Sequence, residues 1–73
     1  MTILDMLPGQ KARVIAFTNK TTETNFLSFG LLPNSVLLLR RKAPFGGSLY
    51  IILESHIMAI RRSEAADVLI EII

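Results

Sequence analysis

Two segments of the chain alternate in side-chain character with a period of two. The first runs from Gln10 to Phe17 and the second from Ser48 to Ser55. Because residues i and i+2 lie on the same face of a strand, this period predicts two β-strands. The small face of the first segment, expected to pack inward, consists of Ala12, Val14 and Ala16. The faces of the second consist of Leu49, Ile51 and Leu53 and of Tyr50, Ile52 and Glu54. Apolar residues on both of those faces indicate a core that wraps around this strand.

Three further segments have the apolar and β-branched composition of strands: Ser35–Ala43, His56–Arg61 and Asp67–Ile72. The first of them is followed by the loop Pro44-Phe45-Gly46-Gly47. Its two glycines can supply the positive φ angles that a hairpin loop needs, and proline ends a strand because it cannot donate to the ladder. We therefore predict that Ser35–Ala43 pairs with Ser48–Ser55.

Two short segments are predicted to be helical. Thr22–Phe29 begins with Thr22 and Thr24, either of which can cap a helix, and it is followed by Gly30, the residue type that most often ends one. Ser63 is predicted to cap a single turn over Ser63–Ala66, with Glu64 near the positive end of that turn. After the first helix, Pro33 and Asn34 predict a turn in which Asn34 adopts a positive φ.

These elements predict a mainly all-β fold with five short strands, a short helix after strand 1 and a one-turn helix before the last strand. A flat sheet of this size would expose two edges and an apolar face, so we expect it to curl into a small barrel. The length of 73 residues fits a single domain over residues 1–73. With 51% apolar residues and no cysteine, the core must be aliphatic and aromatic, and Phe17, Phe26 and Phe29 are expected in it.

The apolar content raises the question of a membrane segment. A spanning helix needs about 20 consecutive apolar residues, whereas the longest apolar run, Leu49–Leu53, stops at Glu54. The first residues, Met1–Asp5, have neither the basic start nor the apolar stretch of a secretory signal. We therefore expect a cytoplasmic protein without direct membrane insertion. The exposed strand edges of so apolar a chain also permit self-association.

The residues that could carry catalysis are sparse, and the sequence predicts no enzyme. His56 is the one histidine, and neither a nucleophile context nor a paired arrangement of carboxylates accompanies it. Glu54 and His56, spaced i and i+2, would share one face of a strand and could bind Fe(II) or another divalent metal weakly. Two ligands do not make a tight transition-metal site, so we expect no bound cofactor.

Two surfaces could bind a macromolecule. The basic clusters, Arg40-Arg41-Lys42 and Arg61-Arg62, could form a nucleic-acid surface together with Tyr50 and Phe45, as in other small barrels. The net charge of +2 is too small to favour that interpretation. The alternative is recognition of a protein by Phe45, since a large ring beside arginines has the composition of an interface hot spot. The ring could equally fold back and cap the end of the barrel.

Several motifs, in order and over nearly the whole chain, resemble the ferrous iron transport protein A (FeoA) family. They are Met6–Ala12, Phe26-Leu27 followed by Gly30-Leu31 and Pro33, Arg41–Gly47, Leu49-Tyr50-Ile51, and Ala59–Arg62 followed by Ala65 and Val68. The resemblance implies an SH3-like β-barrel like the one that also occurs as the C-terminal domain of iron-dependent repressors.

The resemblance also implies a function. Members of that family are linked to bacterial uptake of Fe(II) through a large membrane transporter with a cytosolic GTPase domain, which the small protein is thought to bind and regulate. On this basis we expect a non-enzymatic accessory protein, with a small nucleic-acid-binding barrel or a weak metal-sensing module as alternatives. The expected contacts with the transporter are Arg41, Pro44, Phe45, Gly46, Gly47, Arg61 and Arg62.

Overall fold

The computed structural model describes residues 1–73 and contains five strands and two helices in the predicted order. The strands are β1 (Lys11–Phe17), β2 (Val36–Lys42), β3 (Leu49–Leu53), β4 (His56–Ile60) and β5 (Val68–Ile72). The helices are α1 (Lys20–Leu27), which follows β1, and α2 (Arg62–Ala65), which precedes β5; a 3₁₀ turn covers Ile3–Asp5. Neither helix is long and apolar enough to cross a bilayer.

All five strands form one antiparallel sheet with the order β4-β3-β2-β1-β5. The predicted pairing of β2 with β3 is confirmed. The outer edge of β5 is covered by the N-terminal residues, because Thr2 bridges Leu69 and the amide of Ile70 donates to the carbonyl of Met1 at 3.0 Å. β4 is therefore the terminal strand on which no other segment is paired.

A single core of 15 buried apolar residues draws on every strand, both helices and the 3₁₀ turn. All the strand residues of this core lie on one face of the sheet. The prediction that the small face of β1 packs inward is confirmed for Ala12 and Val14, which are buried, whereas Ala16 is half-buried after a register shift between Val14 and Ala16. The core was predicted to cover both faces of β3. It covers one of them, on which Leu49, Ile51 and Leu53 are buried, whereas Tyr50 and Ile52 are half-buried on the outer face.

Helix α1 begins earlier than predicted because Asn19 caps it. The Asn19 side-chain oxygen accepts from the amides of Thr21 and Thr22 at 2.9 and 3.1 Å, which satisfies two of the free amides of the first turn. Thr22, predicted as a cap, is instead buried inside the helix and donates its hydroxyl to the carboxylate of Asp67 at 2.8 Å. This bond ties α1 to the start of β5.

The predicted end of α1 and the turn after it are confirmed. Gly30 has a φ of +86°, and the amides of Gly30 and Leu31 donate to the carbonyls of Leu27 and Phe26, the pattern of a Schellman motif. Asn34 has a φ of +75° in a turn closed by the amide of Ser35 and the carbonyl of Leu32 at 3.0 Å. Phe29, predicted as core, is 62% exposed because it lies beyond the last turn of α1.

The boundaries near β4 also differ from the sequence prediction. β3 ends at Leu53, and Glu54 and Ser55 form a two-residue turn in which Glu54 has a φ of +56°. His56 then starts β4 opposite Leu53. Helix α2 starts one residue before Ser63, and the carboxylate of Glu64 accepts from the amide of Arg61 at 2.9 Å, so Arg61 rather than Ser63 occupies the cap position.

Candidate functional site

The hairpin loop between β2 and β3 carries the most exposed large apolar side chain of the chain. Phe45, whose relative exposure is 104%, extends into solvent and does not cap the core. The structure thus excludes the alternative in which the ring folds back, whereas recognition of a protein by Phe45 stays a prediction. An aromatic ring held away from the body of a small domain is available for burial against a partner.

The loop is a tight turn built on positive φ angles. Phe45 and Gly46 have φ values of +60° and +75°, and the amide of Gly47 donates to the carbonyl of Pro44 at 3.2 Å, as in a type I′ turn. The amide of Ala43 donates to the carbonyl of Ser48 at 2.9 Å and closes the base. Phenylalanine is a strained residue at a positive φ, since such positions favour Gly, Asn or Asp. Strain of this kind concentrates at functional sites.

Gly47 has a different role from Gly46. A side chain at position 47 would place its Cβ atom 2.7 Å from Cβ of Ala43 and 3.2 Å from the carbonyl oxygen of Pro44. The close approach of the two sides of the loop therefore requires a glycine there. Both glycines of this loop were predicted to adopt a positive φ, but of the two only Gly46 does so.

Arg62 holds the loop against α2. Its Nε atom donates to the carbonyl of Gly47 at 3.0 Å, and a terminal guanidinium nitrogen donates to the carbonyl of Ala43 at 3.2 Å. Arg62 was predicted as a contact residue, and the structure places it under the loop with its donors directed at these two carbonyls. Its contacts span 15 and 19 residues of sequence, so no local pattern could have indicated them.

We expect the Arg62→Ala variant to lose about 1.5–3 kcal/mol of unfolding free energy, because charged hydrogen bonds to partly buried carbonyls are among the stronger ones. Urea unfolding and the amide exchange rates of Phe45 to Gly47 measure this. Arg61→Ala is the matched control, since that exposed side chain makes no hydrogen bond, and it should change stability by less than about 0.5 kcal/mol. Equal effects of the two variants would contradict the role given to Arg62.

The remaining basic side chains divide into two groups. Lys42 donates to the carbonyl of Leu4 at 2.7 Å and thereby ties β2 to the N-terminal turn. Arg40, Arg41 and Arg61 are exposed, and none has a carboxylate within salt-bridge distance, since the sole ion pair joins Arg13 and Glu71. These three exposed guanidinium groups therefore carry positive charge that no carboxylate of the chain pairs with.

Arg41 is the one of these exposed arginines that stacks on an aromatic ring. Its guanidinium carbon lies 4.6 Å from the centroid of the Tyr50 ring, directly across the β2–β3 pair. A cation over a tyrosine face is favourable, and stacking leaves the edge of the guanidinium available to donate. The predicted residues Arg41, Pro44, Phe45 and Gly46 are therefore all exposed on one hairpin, whereas Gly47 and Arg62 support it.

The predicted metal ligands do not share a strand face. Glu54 lies in the turn between β3 and β4, and His56 is the first residue of β4, so the spacing rule for strands does not apply to them. No glycine or proline marks this turn in the sequence. Both side chains are exposed, and the chain has no group of three or more His, Cys, Asp or Glu residues placed to hold a metal ion. Weak metal binding at Glu54 and His56 stays a prediction.

Comparison with known proteins gives a family match. A family model described as the FeoA domain matches residues 1–72. A search of curated proteins found no match.

Solved structures share the fold at low sequence identity. An FeoA-like protein from Clostridium acetobutylicum superimposes with a TM-score of 0.90 at 22% identity, over 99% of this chain and 85% of that one. FeoA of Stenotrophomonas maltophilia, solved with zinc, gives 0.83 at 21% identity over 97% and 89% of the two chains. It is described as an SH3 domain protein and as a candidate activating factor for ferrous iron transport. A manganese-dependent transcriptional repressor gives 0.90 at 14% identity over 99% of this chain and 36% of that one. The predicted SH3-like fold is confirmed.

Proposed function

Because the chain belongs to the FeoA family, we propose that it is a cytoplasmic, non-enzymatic accessory protein of bacterial ferrous iron uptake that docks on the membrane Fe(II) transporter. The family is associated with iron transport as an accessory or activating factor. The finer proposal is that the β2–β3 hairpin binds the transporter's cytosolic GTPase domain.

The observation that carries this proposal is the exposed Phe45 on a braced loop. The loop retains a strained aromatic residue at its tip, and its shape is fixed by Gly47 and Arg62. A pre-organised loop loses little conformational entropy on binding, so burial of the ring contributes more to affinity. This combination favours protein recognition over a merely structural turn.

The charge beside the loop indicates the chemistry of the partner surface. Arg40 and Arg41 lie on the strand that leads into the loop and have no carboxylate partner in the chain. A complementary surface would offer an apolar pocket for Phe45 with carboxylates at its rim. Charged rims of this kind raise association rates and set orientation more than they raise affinity.

The test is binding of the purified protein to the transporter's isolated cytosolic domain, measured by titration calorimetry. We expect Arg41→Glu to weaken binding by about tenfold and more at low salt than at high salt, since the charge is exposed. Lys20→Glu makes the same charge change at an exposed position at the start of α1. It is the control and should bind like the wild type.

Two outcomes would overturn the proposal. One is that the wild-type protein does not bind the cytosolic domain and that neither Arg41→Glu nor Phe45→Ala changes Fe(II) transport in cells. The other is that Arg41→Glu and Lys20→Glu weaken binding equally, which would mean that net charge rather than the hairpin determines the affinity.

A further inference from the structure

β4 is an open strand edge whose backbone groups face solvent. Leu53 and His56 flank a two-residue turn, so they form a hydrogen-bonded pair, and the pairs alternate from there along the β3–β4 ladder. His56, Met58 and Ile60 therefore direct their amides and carbonyls at β3. Ile57 and Ala59 direct theirs away from the sheet, where the chain supplies no partner.

This edge has none of the features that usually prevent strands from pairing. Natural edge strands carry lysine, proline, inward charges or a bulge. β4 reads His56-Ile57-Met58-Ala59-Ile60, with no lysine, no carboxylate, no proline and no shift of register against β3. Ile57 is 58% exposed, and Ala59 beside it is exposed as well.

An apolar groove of about 430 Å³ runs beside this edge. The groove is lined by Phe26 of α1, by Phe29 just after that helix, by the residues from Ile57 to Ile60 and by Glu64. Since four consecutive residues of β4 line the groove, a strand added at this edge could place side chains in it while its backbone pairs with β4.

We propose that the occupant of this edge is β4 of a second copy of the chain, paired antiparallel about a twofold axis at Met58. In that register the outward groups of Ile57 meet those of Ala59 in the other copy, which gives four symmetric backbone hydrogen bonds. The large Ile57 side chain of each copy then lies opposite the small Ala59 of the other, and the two Met58 residues lie opposite each other at the axis.

The charges at the ends of β4 fit the same register. Glu54 lies in the turn before the strand, and Arg61 follows its last residue; both are exposed. Antiparallel pairing places the Glu54 turn of each copy beside Arg61 of the other, so each end of the interface joins opposite charges. A parallel arrangement would place like charges together, which is unfavourable. This complementarity favours a second copy over an unrelated peptide.

The contact is small, so the dimer should be weak, with a Kd on the order of 100 µM, as for interfaces below the standard size. Sedimentation analysis of the purified chain over a wide concentration range measures the association. Ala59→Pro removes an outward amide without breaking a bond inside the sheet, so it should fold and raise the Kd by at least about tenfold. Ile57→Lys should do the same.

The controls distinguish pairing at the β4 edge from non-specific association. Ile15→Lys alters an isoleucine of similar exposure on β1, a strand paired on both sides, and should leave the association unchanged. Glu54→Arg and Arg61→Glu should each weaken the dimer, and the double variant should restore it.

A chain that stays monomeric at millimolar concentration would overturn the proposal. So would a dimer that Ala59→Pro leaves intact, because another surface or another occupant would then be indicated. None of these measurements involves the transporter, so they stand apart from the test of the hairpin.

Discussion

The Phe26→Ala variant is expected to lose about 3–5 kcal/mol of unfolding free energy, the range found for removal of a buried aromatic ring. Phe26 is 2% exposed and stacks edge-to-face on Phe17, with ring centroids 6.2 Å apart. It also joins α1 to the core formed by the sheet. Since small domains have only about 5–15 kcal/mol of total stability, this loss would remove a large fraction of it.

Urea unfolding followed by circular dichroism measures this effect. Leu27→Ala is the matched control, because Leu27 is the next residue of the same helix but is 46% exposed, and it should cost less than about 1 kcal/mol. Should Phe26→Ala not fold at all, Phe26→Leu keeps the question open to measurement with a loss of about 1–2 kcal/mol. A Phe26→Ala variant as stable as Leu27→Ala would show that α1 contributes little to the core.

Features that depend on nearest neighbours could be predicted from the sequence. The alternation in β1 and β3 placed both strands, because each strand has one face on the core and sequence spacing alone determines that face. Gly30 was predicted to end α1 and Asn34 to adopt a positive φ, and both predictions are confirmed. The loop over Pro44 to Gly47 was also placed correctly, since Pro and Gly restrict or extend φ locally.

The errors arise where several residues could serve the same purpose. Asn19 and Thr22 can both cap a helix, and the choice depends on the bond from Thr22 to Asp67, which lies 45 residues away. The turn at Glu54 has no glycine, so the strand prediction continued through it. The support given by Arg62 to the loop could not be predicted either, because it requires knowing that α2 packs beneath the β2–β3 hairpin.

The phenylalanine at position 45 is expected to have opposite effects on the stability of the fold and on binding to a partner. The φ of +60° at this position costs a phenylalanine about 1–2 kcal/mol relative to a residue that tolerates the left-handed region. The ring recovers none of this cost within the chain, because it is fully exposed. An Asn-Gly pair is the preferred sequence of a type I′ turn. A residue that strains the fold and contacts nothing in it is best explained by a contact with a partner.

We therefore expect Phe45→Asn to raise the unfolding free energy by about 1 kcal/mol and to weaken binding to the transporter's cytosolic domain by roughly 30-fold, the loss of a hot-spot aromatic residue worth about 2 kcal/mol. Urea unfolding and titration calorimetry on the same samples measure the two effects.

Phe29→Asn is the control, since Phe29 is also exposed, at 62%, but lies at the end of α1 and has no positive φ. That variant should show neither the gain in stability nor the loss of binding. Binding of Phe45→Asn at wild-type affinity would exclude the ring from the interface, and a loss of stability would mean that the ring packs on the domain after all. Only the opposite signs of the two effects agree with a strained loop kept for recognition.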